Sequence, residues 1–378
     1  MLYLVFVAAC ILPSFAITFV ATAMVRVLAP RWGLLDKPNT RKVHETPTVL
    51  GGGIGIWLGV VLPISAVQTL AWIFVDAGEL PQWIPAGLAE HVEGVLYRSG
   101  QMWAILAAGT VLACMGLIDD MTNLAWQPRL AIQVCVAVAL VAGGVRATVF
   151  VSPSWLGMLL TVGWILVLVN AFNFIDNMDG LSSGIALIAS LLFAAVMLSA
   201  TAEPRWLVGG VLLVLSGSLA GFLCHNWPPA RIFMGDSGSY FIGLLLATMT
   251  VVGTFYDEQV ESRHVILAPL CVLAVPLYDF CSVVLIRIRQ RRSPFHPDKS
   301  HFSHRLVELG LSPRDAVLTI HLATLTTGLG ALLLYKVPGW PGAWLVVALI
   351  ACVLAIVAIL ETVGRVSNGN SEDNPDET

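Results

Sequence analysis

The chain reads as an all-α polytopic membrane protein, and three observations predict it. Of its 378 residues, 57% are hydrophobic and only 12% charged, with a mean hydropathy of +0.83. A soluble domain carries about a quarter charged residues. Apolar runs of span length recur along the chain, parted by short polar breaks. Lys and Arg crowd into alternate breaks, the asymmetry that the two faces of a bilayer impose.

Eleven runs approach the roughly 20 residues that a span needs: residues 2–25, 50–75, 101–118, 130–147, 154–172, 181–200, 206–224, 240–254, 265–286, 316–335 and 343–360. The eighth is short and the fourth ends beside Arg146. The first run resembles a signal peptide, with Ala21-Thr22-Ala23 as a cleavage tripeptide. No positive charge precedes it and it exceeds the usual apolar core of a leader, so it is read as a retained span. Odd-numbered connections hold 14 of the Lys and Arg residues and even-numbered ones 5, with Arg365 in the tail. The N-terminus is therefore expected outside and the C-terminus in the cytoplasm. Residues 1–366 are expected to form one membrane domain, and the acidic stretch 367–378 a disordered tail. Pro81, Trp83 and Pro85 mark the one sizeable outer loop, read as an interfacial lid. The seven cysteines all fall inside apolar runs without CxxC or Cys/His spacing, which argues against disulfides and zinc.

Five carboxylates, Asp119, Asp120, Asp176, Asp179 and Asp236, sit in breaks that the charge asymmetry assigns to one face. Only two cations, Arg129 and Arg231, share those breaks. Acids beside lipid are costly unless neutralised, so the shortfall of base asks for a divalent cation. Asp119 and Asp120 close the third run, and adjacent acids on a helix face different ways, so each needs its own partner; the alternative is a pair exposed to water. Asn123 breaks the DDxxD pattern of prenyl-diphosphate sites. Asn170, Asn173, Asp176 and Asp179 recur every three residues, an oxygen-bearing stripe suited to Mg²⁺. A plain cap on the sixth span is the competing reading. Asn226 and then Phe233-Met-Gly-Asp-Ser-Gly-Ser-Tyr240 form the third break. Asp236 is expected to precede the next helix by two residues, a place better for a metal ligand than for a cap.

The basic connections supply the complement. Arg41, Lys42 and His44 lead into the second span. In the ninth connection His301, His304 and Arg305 stand at i, i+3 and i+4, so one helical face presents all three to a sugar diphosphate. Attraction of these loops to anionic lipid is the alternative. Asp279, deep in the ninth run, is read evenly as a functional acid or as a group that pairs with a loop arginine or caps a broken helix.

Together the ordered elements RKxH, DDxxxL, NxxNxxDxxDGL, MGDSGS and HxxHRL resemble the polyprenyl-phosphate N-acetylhexosamine-1-phosphate transferases, over residues 36–310. The resemblance implies transfer of a sugar phosphate from a UDP-N-acetylhexosamine, here UDP-GlcNAc, to undecaprenyl phosphate with release of UMP. It implies a cytoplasmic active site in the bacterial inner membrane, a homodimer as a possible assembly, and no nucleic-acid partner. Asp119 corresponds to the acid that deprotonates or orients the lipid phosphate, with Asp120 beside it. Asp236 and Asn173 correspond to ligands of Mg²⁺ or Mn²⁺, with Asp176 in the same cluster. Asp179 corresponds to a residue near the uracil ring. Arg129 stands where the family commonly has a Lys on the diphosphate. Lys42, His44, His301, His304 and Arg305 match basic positions around phosphate and sugar, and Asn123 and Asn226 complete the substrate-binding set. Ser303 replaces the middle His of the family's HxHH, so it is not expected to handle protons or phosphate. The three-histidine run of phospho-N-acetylmuramoyl-pentapeptide transferases is absent, which makes that activity the runner-up. A secondary transporter, whose acids would lie near the midplane, ranks last.

Overall fold

Each of the eleven apolar runs is helical over most of its length in the computed structural model, which describes residues 2–36, 47–78, 81, 84–146, 154–201, 203–253, 263–294 and 301–372. In chain order the main helices are α1 (Leu2–Leu28), α2 (Gly52–Asp76), α3 (Ser99–Thr122), α4 (Trp126–Ala142), α5 (Ser154–Ile175) and α6 (Leu181–Ala195). They continue with α7 (Trp206–Asn226), α8 (Gly235–Val252), α9 (Ala274–Arg289), α10 (Phe302–Glu308), α11 (Pro313–Leu334) and α12 (Gly339–Glu372). A two-residue antiparallel ribbon, β1 (Leu35–Asp36) with β2 (Thr48–Val49), pairs Leu35 with Val49 and Asp36 with Thr48. The second connection carries two short helices, Ala86–Ala89 and Val92–Tyr97, while Trp83 lies outside the described residues.

By length and composition nine described helices qualify as membrane spans, and a bent pair makes ten. The fourth run falls short, with 17 helical residues in α4. The ninth run is broken: Arg263–Val272 and Ala274–Arg289 meet at 67°. Pro276 explains the place of the break, because it has no N–H to offer the carbonyl of Val272 one turn earlier. The last helix continues to Glu372, six residues into the stretch read as a tail.

Burial is graded across the bundle. The most apolar stretch of α8 is 83% buried, that of α12 only 11%. Thus α8 is the axis, packed against α2, α3 and α5. Its small residues allow this, as between helices in lipid generally, where close backbone approach replaces the hydrophobic drive. A second seam joins α1, α2 and α7 through hydroxyls. The Ser14 Oγ lies 2.6 Å from the carbonyl oxygens of both Gly59 and Val214, and Thr18 donates to Ser218 at 2.8 Å.

Candidate active site

The three acidic breaks meet at the end of the bundle where α3 and α5 finish and α8 begins. Asp236 lies in the first turn of α8, which starts at Gly235, so it is inside the helix and not two residues ahead of it. Asn173, on the last turn of α5, donates from Nδ2 to Asp236 Oδ1 at 2.8 Å and lies 3.1 Å from Ser239 Oγ. Arg129, on the first turn of α4, places Nη1 2.6 Å from Asp119 Oδ2 and 3.5 Å from Asp236 Oδ2. The same nitrogen is 3.4 Å from the Tyr240 hydroxyl. Tyr240 was not among the sequence candidates, although it stands one helical turn after Asp236 on the same face.

Asp119 and Asp120 have separate partners. Asp119, 5% exposed, takes Arg129 on one oxygen and the backbone N–H of Leu124 on the other, at 2.7 Å. Asp120 turns to the start of α8, where its Oδ1 accepts the backbone N–H of Asp236 at 2.9 Å and its Oδ2 lies 3.5 Å from the N–H of Ser237. It caps two of the donors that a helix N-terminus leaves unpaired. Asp120, grouped by its sequence with the catalytic acids, thus turns its oxygens to backbone N–H groups. Gly235 makes the approach possible, since its φ is +74° and a Cβ there would lie 2.4 Å from Asp120 Oδ2. Gly116 does the same for the helices, because a Cβ would sit 2.4 Å from the Asp236 carbonyl carbon. On the other side, the free N–H groups of Gly52 and Gly53 at the head of α2 donate to the carbonyls of Phe233 and Met234, each at 2.9 Å.

The oxygen-bearing stripe does not stay on one line. Asn170 turns inward and donates to Gln133 of α4 at 2.7 Å. Asp176 lies just beyond α5, half-buried, with burial first and then the charges of Asp120 and Asp179 pushing its carboxyl up to about 8. Asp179 accepts the backbone N–H of Ala230 at 2.8 Å. Asn226, buried, accepts from Gly180 N at 3.0 Å and Ser183 Oγ at 3.1 Å and donates to the Ile232 carbonyl at 2.9 Å. Asp179 and Asn226 therefore bind the α5–α6 and α7–α8 connections together, which explains how two distant acidic breaks keep a fixed spacing. Asn123 is the C-cap of α3 in the left-handed region (φ 52°), a conformation Asn tolerates well; it is exposed and ends the helix.

The basic set is rearranged relative to the helical-face expectation. His301 is the N-cap of α10 and not part of its face. Its Nδ1 lies 2.9 Å from Asp279 Oδ2, and Asp279 Oδ1 accepts the N–H of Phe302 at 2.7 Å. Asp279 thus both pairs and caps, but its pairing partner is a histidine. Arg305 is buried and donates to Ser282 of α9 at 3.0 Å, so it packs into the protein and does not share an open face with the histidines. His304 is half-buried, its ring centre 6.2 Å from that of His301. Ser303, which sequence reasoning set aside, is 1% exposed and donates to Asn177 Oδ1 at 2.5 Å. Lys42 and His44 lie outside the described residues.

Among the described residues no group of three or more His, Cys, Asp or Glu side chains converges as a metal cage. The donor set that fits a hard cation is Asp236 with the amide oxygen of Asn173, since Mg²⁺ takes few protein oxygens and completes its shell with water and phosphate. Beside it, a cavity of about 30 Å³ between α4, α5 and α8 is lined in part by Trp126, Gln133, Asn170 and Phe174. That volume admits only a water-sized group.

The sequence model of glycosyl transferase family 4 matches residues 102–254, a stretch holding all three acidic breaks. The chain is 37% identical over 332 residues to the decaprenyl-phosphate N-acetylglucosaminephosphotransferase of Mycobacterium leprae (strain TN), covering 81% of this chain and 78% of that protein. The chain belongs to glycosyl transferase family 4. It is also 31% identical to the probable undecaprenyl-phosphate N-acetylglucosaminyl 1-phosphate transferase of Bacillus subtilis (strain 168), over 89% of this chain and 87% of that one. Identity to the undecaprenyl-phosphate alpha-N-acetylglucosaminyl 1-phosphate transferase of Escherichia coli (strain K12) is 28%, over 86% and 84%. As a family 4 member the protein is an all-α, multi-pass membrane protein.

Proposed function

We propose that this family 4 protein transfers GlcNAc-1-phosphate from UDP-GlcNAc to a polyprenyl phosphate, undecaprenyl phosphate in a bacterial inner membrane, on the cytoplasmic face. The observation that carries the reading is the contact of Asn173 with Asp236, which joins two acidic breaks into one oxygen-rich site beside Arg129. The named relatives support the same donor group and acceptor class.

In the reaction a phosphate oxygen of the lipid forms a bond to the β-phosphorus of UDP-GlcNAc. The bond from that phosphorus to the oxygen bridging the α-phosphate breaks, and UMP leaves with the electron pair. Mg²⁺ held by Asp236 and Asn173 would neutralise charge on the diphosphate and the departing UMP. Arg129 stands beside the same carboxylate and adds positive potential where two anions must approach. Asp119 orients Arg129 through a direct pair and is tied to backbone on its other oxygen, so it positions and does not act as a strong base. Asp120 fixes the direction of the first turn of α8 and thereby of Asp236.

Purified full-length protein incubated with radiolabelled UDP-GlcNAc, undecaprenyl phosphate and Mg²⁺ should give a lipid-extractable sugar diphosphate and an equal amount of UMP. A donor panel with UDP-GalNAc and UDP-MurNAc-pentapeptide should give less product from each. Absence of any lipid-linked sugar would overturn the reading, and preference for the pentapeptide would replace its donor.

A further inference from the structure

The ninth connection holds a buried pair that the acidic cluster does not use. Asp279 is 1% exposed within α9, where an acid without partners is costly. Both its oxygens are taken by two consecutive residues, Nδ1 of His301 at 2.9 Å and the N–H of Phe302 at 2.7 Å, 22 and 23 positions away. A carboxylate only accepts, so the hydrogen in the first contact belongs to the imidazole Nδ1. The other ring nitrogen, Nε2, bonds nothing among the described residues and is not one of their sealed atoms.

The histidine is held against the acidic site from the opposite side too. Its ring meets Phe174 edge-on at 5.9 Å, and Phe174 follows Asn173 directly. Two residues beyond His301, Ser303 donates to Asn177, whose own amide donates to the Phe174 carbonyl at 2.9 Å. Residues 301–303 are therefore pinned between α9 and the α5–α6 connection.

We infer that Asp279 is a positioning residue for the transfer reaction, holding a proton on His301 Nδ1 so that Nε2 is presented to the sugar diphosphate of the donor. The inference rests on the transfer activity proposed above. Asp279 touches no substrate and acts through His301. Replacing it with Asn keeps the size and leaves an oxygen for Phe302. The amide NH₂ then faces Nδ1, and the neutral ring answers by moving its proton to Nε2.

The test is ¹⁵N NMR of the full-length protein in nanodiscs, labelled at histidine and recorded at alkaline pH, with the His301 signals assigned by their loss in His301→Gln. Wild type should show the Nδ1–H tautomer and Asp279→Asn the Nε2–H tautomer. The kcat/KM for UDP-GlcNAc should fall at least tenfold in Asp279→Asn and recover in part in Asp279→Glu. An Nε2–H ring in wild type overturns the inference without any variant having to fold. An unchanged tautomer in Asp279→Asn, or full turnover despite an inverted one, overturns it as well. If wild type makes no lipid-linked GlcNAc, the transfer reading fails, and the tautomers still decide whether the pair exists.

Discussion

The carboxylate of Asp120 accepts the backbone N–H of Asp236 at 2.9 Å across 116 positions of sequence. One acid thus holds the main chain that carries another. Asp120→Ala should remove a helix cap worth about 1 kcal/mol and lower the melting temperature. It should also cut turnover by more than tenfold, because Asp236 loses its fixed direction. Thermal melts and steady-state kinetics on the same preparation check both effects.

Asp236→Asn should abolish Mg²⁺-dependent turnover while the protein still inserts and melts normally. The substitution preserves shape but removes the charge a cation needs. Near-normal activity would exclude Asp236 as a ligand.

The contacts of Arg129 with Asp119, Asp236 and Tyr240 all converge on one nitrogen, Nη1. An ammonium can replace a single nitrogen, though it lacks the guanidinium fork. Arg129→Lys should therefore keep activity within about tenfold, whereas Arg129→Ala should lose on the order of a hundredfold, a difference of about 1.4 kcal/mol per factor of ten. Equal losses in the two variants would mean that the fork itself matters.

Burial raises the Asp176 carboxyl to about 8, so in the metal-free protein it carries a proton at neutral pH. A cation bound beside it favours the ionised form. Mg²⁺ affinity should then fall as pH drops below about 8 and level off above it, with proton release on binding. Calorimetry in two buffers of different ionisation enthalpy measures that proton. A flat pH dependence would place Asp176 outside the field of the metal.

Ser303→Ala should leave Asn177 Oδ1 without its partner and destabilise the protein by roughly 1–2 kcal/mol. Turnover should fall several-fold as the histidine connection loosens. An unchanged melting temperature and rate would return Ser303 to the bystander role its sequence context suggests.

Helicity, the multi-pass character and the family were legible because the signals are local. Apolar runs give helices directly, and short motifs give the family. The fates of individual polar side chains were not legible. Asp120 is grouped with the catalytic acids in sequence and Asn226 with the substrate-binding set, yet the contacts of Asp120 with the backbone of Asp236 and of Asn226 with Gly180, Ser183 and Ile232 are ones no periodicity encodes. Arg305 matched a helical face with His301, but His301 caps α10 and the Arg305 guanidinium donates to Ser282 of α9. The contact of Tyr240 with Arg129 and the pairing of Asp279 with His301 arise only from tertiary packing.

The hydroxyl of Ser14 reaches the carbonyl of Val214, exactly two hundred positions onward, and Thr18 reaches Ser218 over the same interval. The amino-terminal hairpin therefore cannot settle into its final place while the ribosome is still making the middle of the chain. The Ser14 hydroxyl can already meet the Gly59 carbonyl within the hairpin, but its contact with Val214 and that of Thr18 with Ser218 form only once the seventh segment emerges, so premature termination upstream of that segment should leave a nascent chain open to quality-control proteases.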